Sequence, residues 1–231
     1  MEKQKQVIII FGPPGAGKGT QAGLLADKMG LYNFETSGII GRKIAEAKPN
    51  DFIEVDREKY YLLKEKEIAD EGKLWDPPFV VYFVNEKIKE LSGEDKSIIF
   101  SGSPRTFYEA EKMMPLIENL YGRENIKIIK LEINPETTIF RNSNRKTCEL
   151  MRHSILFSKE TENLTVCPLD GSNLRKREDD SAEAITVRLN QYAERTFPIL
   201  EYIEKNGFKM NKINGERSVV DVYKDVLEVI K

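Results

Sequence analysis

Four short apolar runs, Val7–Phe11, Ile98–Phe100, Ile126–Ile133 and Phe208–Ile213, recur along the chain with helical stretches between them. Runs of this length and composition read as buried parallel strands. Behind the first, Ala22, Leu25 and Met29 continue at helical spacing. Near the end, Ser218 with Asp221 three residues on forms a capping-box start for a last helix. Val219, Val222, Tyr223, Val226, Leu227 and Ile230 then fall on helical spacing. Alternation of strand and helix predicts an α/β fold, a parallel sheet covered by helices on both faces. In such sheets ligands sit beyond the carboxyl ends of the strands.

Two segments interrupt the alternation. Residues 36–78 are polar and read as helical, ending in Gly72-Lys73-Leu74-Trp75-Asp76-Pro77-Pro78. Residues 147–177 are polar and irregular, and carry both cysteines and the one histidine. The expected division is therefore a core of residues 1–35, 79–146 and 178–231, a small helical insertion at 36–78, and a mobile lid at 147–177.

The chemistry begins directly after the first run, at Gly12-Pro13-Pro14-Gly15-Ala16-Gly17-Lys18-Gly19-Thr20. Strand, glycine loop and helix in this order form a P-loop that grips the phosphates of a nucleotide. Glycines let successive backbone N–H groups turn inward as an anion nest. The helix starting near Lys18 aims its positive end at the same place, and Lys18 adds a mobile charge for the outer phosphates.

Gly19, rather than Ser or Thr, follows the lysine, and Thr20 comes next. This GxPGxGKGTQ form resembles the adenylate kinase family of nucleoside monophosphate kinases, and the resemblance extends over nearly the whole chain. It implies a P-loop core with a monophosphate-binding insertion at 36–78 and a lid. It also implies ATP bound by Gly12, Gly15, Ala16, Gly17, Lys18, Gly19 and Thr20, with Mg²⁺ bridging the donor phosphates. Gly102-Ser103-Pro104-Arg105 resembles the segment whose arginine binds the acceptor phosphate, with Pro104 suited to the first turn of a helix. Arg141 and Arg145, one helical turn apart, resemble the two arginines at the lid hinge. Arg177 and Arg188, flanking Asp179-Asp180, resemble the lid-side pair that closes on both nucleotides. Thr36-Ser37-Gly38 with Arg42 resembles the acceptor motif, so Ser37 and Arg42 are expected there, beside Lys73, Leu74 and Trp75. Trp75 either stacks on the acceptor base or is a packed aromatic. Phosphoryl transfer needs aligned phosphates and converging positive charge more than covalent chemistry. Lys18, Arg105, Arg145, Arg177 and Arg188 are the expected catalytic set.

Three departures from the family pattern bear on function. Ile39 and Ser101 stand where the family has carboxylates that hold waters of the Mg²⁺ shell. Glu35 offers a replacement carboxylate, against a plain surface role. Glu109 stands where the family has a glutamine that reads adenine. An ionised carboxylate only accepts hydrogen bonds and better matches guanine, which offers N1–H and an amino group, so GMP stays open beside AMP as acceptor; the alternative is a Glu109 that merely faces solvent on its helix. The missing carboxylates also leave open a nucleotide-binding sensor or partner domain without turnover. A GTPase is disfavoured, because no Asn-Lys-x-Asp motif is present.

The lid resembles the family's zinc ribbon, with Cys148-x-x-Met151 and Cys167-x-x-Asp170. Met is a poor Zn²⁺ ligand, so His153 is the residue that completes a Cys148, His153, Cys167, Asp170 set for a structural Zn²⁺. A metal-free lid held by hydrogen bonds is the alternative. The rest of the composition excludes more than it adds. The net charge is −2 over 231 residues, which gives no nucleic-acid-binding surface. No apolar stretch approaches the ~20 residues of a membrane span, and two cysteines make no disulfide framework. The expectation is a cytoplasmic monomer.

Overall fold

The computed structural model describes residues 5–70, 74–151, 153–176 and 181–231. In chain order the elements begin with β1 (Val7–Phe11), α1 (Lys18–Met29), β2 (Tyr32–Phe34) and α2 (Thr36–Ala45). They continue with β3 (Phe52–Val55), β4 (Glu58–Tyr61), α3 (Leu62–Asp70), α4 (Pro77–Gly93), β5 (Ile98–Phe100) and α5 (Phe107–Tyr121). Then come β6 (Ile126–Glu132), α6 (Pro135–Asn144), β7 (Lys146–Cys148), β8 (Ser154–Ile155) and β9 (Leu174–Arg175). The chain closes with α7 (Ala182–Gln191), a π-helical turn (Tyr192–Thr196), α8 (Phe197–Lys205), β10 (Met210–Asn214) and α9 (Val219–Ile230).

Five strands form one parallel sheet in the order β10-β6-β1-β5-β2. Side chains alternate across it, as the pleat requires. Val7, Ile9 and Phe11 of β1 join Phe100, Ile128, Phe79 and Met113 in the core under α4, α5 and α8. Ile8 and Ile10 face the other way, onto Ala22 and Leu25 of α1 and Val222 and Val226 of α9. Both faces of β1 are thus buried, which is why its sequence is apolar without alternation. Burial of each such side chain contributes about 1.5–3 kcal/mol before chain entropy is counted. Because β1 and β5 pair in parallel, with Ile9 opposite Phe100, the loops after them leave the same edge of the sheet side by side.

Several expectations change in detail. The strand expected at Phe208–Ile213 is Met210–Asn214, since Phe208 still belongs to the turn that closes α8, its N–H donating to Ile203 O at 3.1 Å. β2, three residues long, gave no run long enough to stand out. Among the described residues of 36–78, helix is confined to α2, α3 and the first turn of α4. Between α2 and α3 runs a β3–β4 hairpin, turned by Asp56 and Arg57 at φ 52° and 70°. Two positive-φ residues give the twist a two-residue hairpin needs. Pro104 does not sit in a first helical turn: α5 starts at Phe107, and Pro104 lies before it, after a cis bond to Ser103. The lid segment is not irregular throughout, because β8, β7 and β9 form a small antiparallel sheet. The last helix starts as expected, with Ser218 Oγ accepting from Asp221 N at 3.2 Å.

Candidate active site

The loop between β1 and α1 is closed by its own backbone. Ala16 N–H donates to Pro13 O at 3.2 Å, and Gln21 N–H to Gly17 O at 3.0 Å. A Cβ on Gly12 would lie 2.7 Å from the Leu131 carbonyl oxygen, a backbone atom on the neighbouring strand that cannot give way. Gly15, at φ 81°, would meet the amide nitrogen of buried Asn142 at 2.7 Å. The glycines are therefore fixed by close approach as well as by backbone angle. Lys18 opens α1 and folds back, its Nζ donating to Gly12 O at 2.7 Å and Pro13 O at 3.0 Å.

A cavity of about 540 Å³ opens above this loop. Lys18, Gly19 and Thr20 form its floor. Arg105 enters from the loop after β5, Arg141 and Arg145 from α6 and its end, and Arg188 from α7. Burial lowers the Lys18 pKa from its ordinary 10.5 to about 7, and the charges of Arg105, Arg188 and Arg145 lower it further within that total. Cations gathered this closely repel one another, and an arriving polyanion relieves that repulsion.

The wall around Arg105 is built by side chains. Arg105 Nε donates to Gly102 O at 2.6 Å, and Arg105 N–H donates to Glu109 Oε2 at 2.8 Å. The other Glu109 oxygen accepts from Thr106 Oγ1 at 3.1 Å, while Thr106 Oγ1 accepts from Glu109 N–H at 3.2 Å. Glu109 is buried. It does not face solvent; with Thr106 it caps the start of α5 in a variant of the capping box, its carboxylate taking the N–H of Arg105, one residue before the N-cap. The Thr106-x-x-Glu109 pattern that signals this is plain in the sequence, and weighing Glu109 only as a base reader or a solvent-facing residue missed it. Burial raises the Glu109 pKa, opposed by the Arg105 and Thr106 hydrogen bonds and the Arg105 charge. A hydroxyl pair, Thr36 and Ser103 at 2.6 Å, ties the start of α2 to this loop.

The other expected residues divide. Gly12, Leu74, Gly102, Arg105, Lys18 and Arg188 line a second cavity of about 170 Å³. Gly15, Ala16, Gly17 and Ser37 line the larger one. Arg141 lines the larger cavity and grips backbone, donating to Gly15 O at 3.3 Å, Gly215 O at 2.8 Å and Glu216 O at 3.2 Å. Arg42 is exposed on α2 and lines neither cavity. Trp75 is packed against the main core and lines neither cavity. Lys73 and Arg177 lie outside the described residues. Two residues not foreseen are Phe140 and Phe157, which line the larger cavity and meet edge to face at 5.5 Å between ring centres. Phe140 directly precedes Arg141, but nothing local marks Phe157.

The lid brings four donors together. Cys148 Sγ, His153 Nδ1, Cys167 Sγ and an Asp170 oxygen lie within 4.8 Å of one another. His153 Nδ1 is 3.5 Å from each sulfur and 3.2 Å from Asp170 Oδ2. Cys148 Sγ also accepts from His153 N–H at 3.1 Å, and Asp170 Oδ1 accepts from Ser172 N–H and Oγ at 2.9 and 2.7 Å. Met151 is exposed and outside the group.

A P-loop on a parallel sheet, with arginines from several segments facing its mouth, defines a nucleotide-binding phosphotransferase fold. Comparison with known proteins narrows the class. Residues 10–208 match the family model described as adenylate kinase. The adenylate kinase of Methanosarcina barkeri strain Fusaro is 29% identical over 224 residues, covering 97% of this chain and 98% of the relative. That of Staphylococcus aureus strain Mu50 is 30% identical over 226 residues, covering 96% and 98%. That of Borrelia turicatae strain 91E135 is 28% identical over 225 residues, again covering 96% and 98%. The chain belongs to the adenylate kinase family and is a nucleoside monophosphate kinase that draws its phosphoryl group from ATP. Among the described residues no helix is long and apolar enough to cross a membrane.

Proposed function

We propose that the acceptor is AMP and the reaction ATP + AMP to two ADP, carried out in the cytoplasm by a monomer whose two nucleotide sites lie within one chain. The observation that carries this reading is that Lys18, Arg105, Arg145 and Arg188, from four separate segments, face one cavity above the glycine loop. ATP lies with its phosphates on the loop amides and its base toward Arg141, Phe140 and Phe157. AMP enters beside Ser37, Leu74 and Gly102, its phosphate held by Arg105. An oxygen of that phosphate attacks the γ-phosphorus in line and the β–γ bridging bond breaks. No side-chain base is needed, since the nucleophile is already an oxyanion. Lys18, Arg145 and Arg188, with Arg177 from the lid side, neutralise the charge on the moving group. Closure of residues 147–177 over the core excludes water, which otherwise competes as acceptor. Arg42 and Lys73 are acceptor contacts on the strength of the family resemblance alone, and Trp75 packs against the core. Glu109 acts on the acceptor through Arg105 rather than on its base, which weakens the case for GMP.

The donor set at the loop fits a magnesium ion: Thr20 would hold it together with the donor phosphates, where it supplies charge neutralisation. The lid donors fit a structural zinc ion, two thiolates, one imidazole and one carboxylate being an acceptable four-coordinate set. Ser172 would orient the Asp170 carboxylate from behind.

A panel of nucleoside monophosphates tested against ATP and Mg²⁺ decides the acceptor. AMP should give the highest kcat/KM; a higher value with GMP overturns the assignment.

A further inference from the structure

Among the described residues the larger cavity presents six cationic side chains, Lys18, Arg105, Arg141, Arg145, Arg188 and Arg217, and a single carboxylate, Glu35. Among the described residues the Glu35 carboxylate has no hydrogen bond and no ion pair, and it gives no side-chain cap to α2 although it stands at the N-cap. A bare carboxylate facing a nucleotide's phosphates opposes binding, unless a divalent cation lies between and turns the repulsion into attraction.

The two positions at which the family resemblance expects metal-side carboxylates do not provide them. Ile39 is buried in the apolar core with Ile40 and Phe79. Ser101 lines the cavity but is neutral. Strand pairing shows where the charge has gone. β2 lies beside β5 with Phe34 opposite Phe100, so Glu35 and Ser101 are the next residues on neighbouring parallel strands. The Thr36–Ser103 hydroxyl pair holds the two strand ends together just beyond. Glu35 therefore offers, one strand over, the acid that Ser101 lacks, in the same cavity as Thr20.

We propose that Glu35 is the positioning carboxylate for the magnesium ion that accompanies ATP in this chain. Mg²⁺ keeps most of its waters and is usually held by one or two carboxylates plus substrate phosphates. One carboxylate, one hydroxyl and the phosphates satisfy that pattern. The inference rests on the kinase reading above.

The test uses the full chain with ATP, no acceptor, and Mn²⁺ as the metal probe, free Mn²⁺ being counted by electron paramagnetic resonance. Glu35→Gln should weaken Mn²⁺ binding to the protein–ATP complex about 10-fold, in line with losses of outer-shell metal partners. ATP affinity in excess chelator should stay the same or tighten, because a negative charge has left the cavity. Adding Ser101→Asp to Glu35→Gln should restore the metal affinity. Unchanged Mn²⁺ binding in Glu35→Gln overturns the proposal, and so does an equal loss of ATP affinity in chelator, which is what damage to the wall alone produces. Glu35→Ala, at an exposed position, repeats the measurement independently. Failure of the kinase reading is a different result: wild-type protein that binds ATP and Mn²⁺ yet turns over no monophosphate.

Discussion

The phosphate cavity and the lid cluster are built on opposite electrostatic plans. Around Lys18 the fold gathers cations, and burial first, with their charges after it, pushes the lysine down to a pKa of about 7. Around His153 it gathers electron-pair donors, two sulfurs, an imidazole and a carboxylate, within 4.8 Å. Each arrangement is poor on its own and is relieved by a ligand of the missing sign: a polyanion in the first, a soft divalent cation in the second. They also differ in what holds them. The loop is closed by backbone hydrogen bonds and by contacts that only glycine permits. The lid cluster depends on four side chains, so single substitutions reach it more easily.

The strongest way to break the comparison is to remove charge from the cavity. Lys18→Met or Arg105→Ala should lower kcat/KM at least ~100-fold, the scale of losing one transition-state charge clamp. Steady-state assays with ATP and AMP read this directly. A variant that keeps most of its rate would mean that the gathered cations serve solubility rather than transfer. On the other side, Cys148→Ser should weaken Zn²⁺ binding by about 10-fold or more, since a hydroxyl is a far poorer ligand than a thiolate. Metal analysis after dialysis against a graded zinc buffer checks it. A wild-type protein that holds no zinc under those conditions would put the lid with those kept in shape by hydrogen bonds alone.

A smaller effect sharpens the role of the acceptor wall. If Glu109 serves the helix start, Glu109→Gln should cost about 1 kcal/mol of stability, the usual worth of a cap interaction, as urea unfolding would show. The ratio of AMP to GMP activity should move less than about threefold, because one tenfold change of specificity needs ~1.4 kcal/mol of differential binding. A large swing toward AMP in that variant would return Glu109 to the base.

The donor side was legible in the sequence because it is encoded by backbone. Glycine spacing, a preceding apolar strand and Lys18 at the helix start say nearly everything the geometry then displays. Both faces of β1 could be read from Val7–Phe11 alone. The acceptor side was less legible because its signals are shared between roles. Glu109 fits a base reader and a capping box equally well in one dimension, and only burial with both oxygens engaged separates them. Trp75 fits a stacking platform or a core residue, and the fold puts it against the core. The β3–β4 hairpin was hidden because its strands are only four residues each and half-exposed, leaving only the Asp56-Arg57 turn as a mark. Glu35 drew its meaning from Ser101 on the neighbouring strand, a relation that no local window contains.

The finest test concerns a single proton. In the ligand-free protein Lys18 has a pKa of about 7, against an ordinary 10.5. Its folded value lies below its unfolded one, so between about pH 7 and 10.5 the unfolded chain binds more protons, and stability attributable to Lys18 rises with pH across that window. Nucleotide binding runs the other way. Phosphates beside Lys18 raise its pKa again, so the complex holds a proton that the free protein has lost. The affinity contribution is complete below about pH 7 and falls away as pH climbs through the pKa of the complex. At pH 8.5, where the ATP phosphates are fully ionised, binding should therefore take up about one proton. Titration calorimetry in two buffers of different ionisation enthalpy measures that uptake. Lys18→Met should abolish it, while Arg141→Lys, which leaves Lys18 and its three repelling arginines in place, should not. An uptake near zero in the wild-type protein would show that Lys18 is already charged in the empty cavity, and the cations there would then be less crowded than their positions imply.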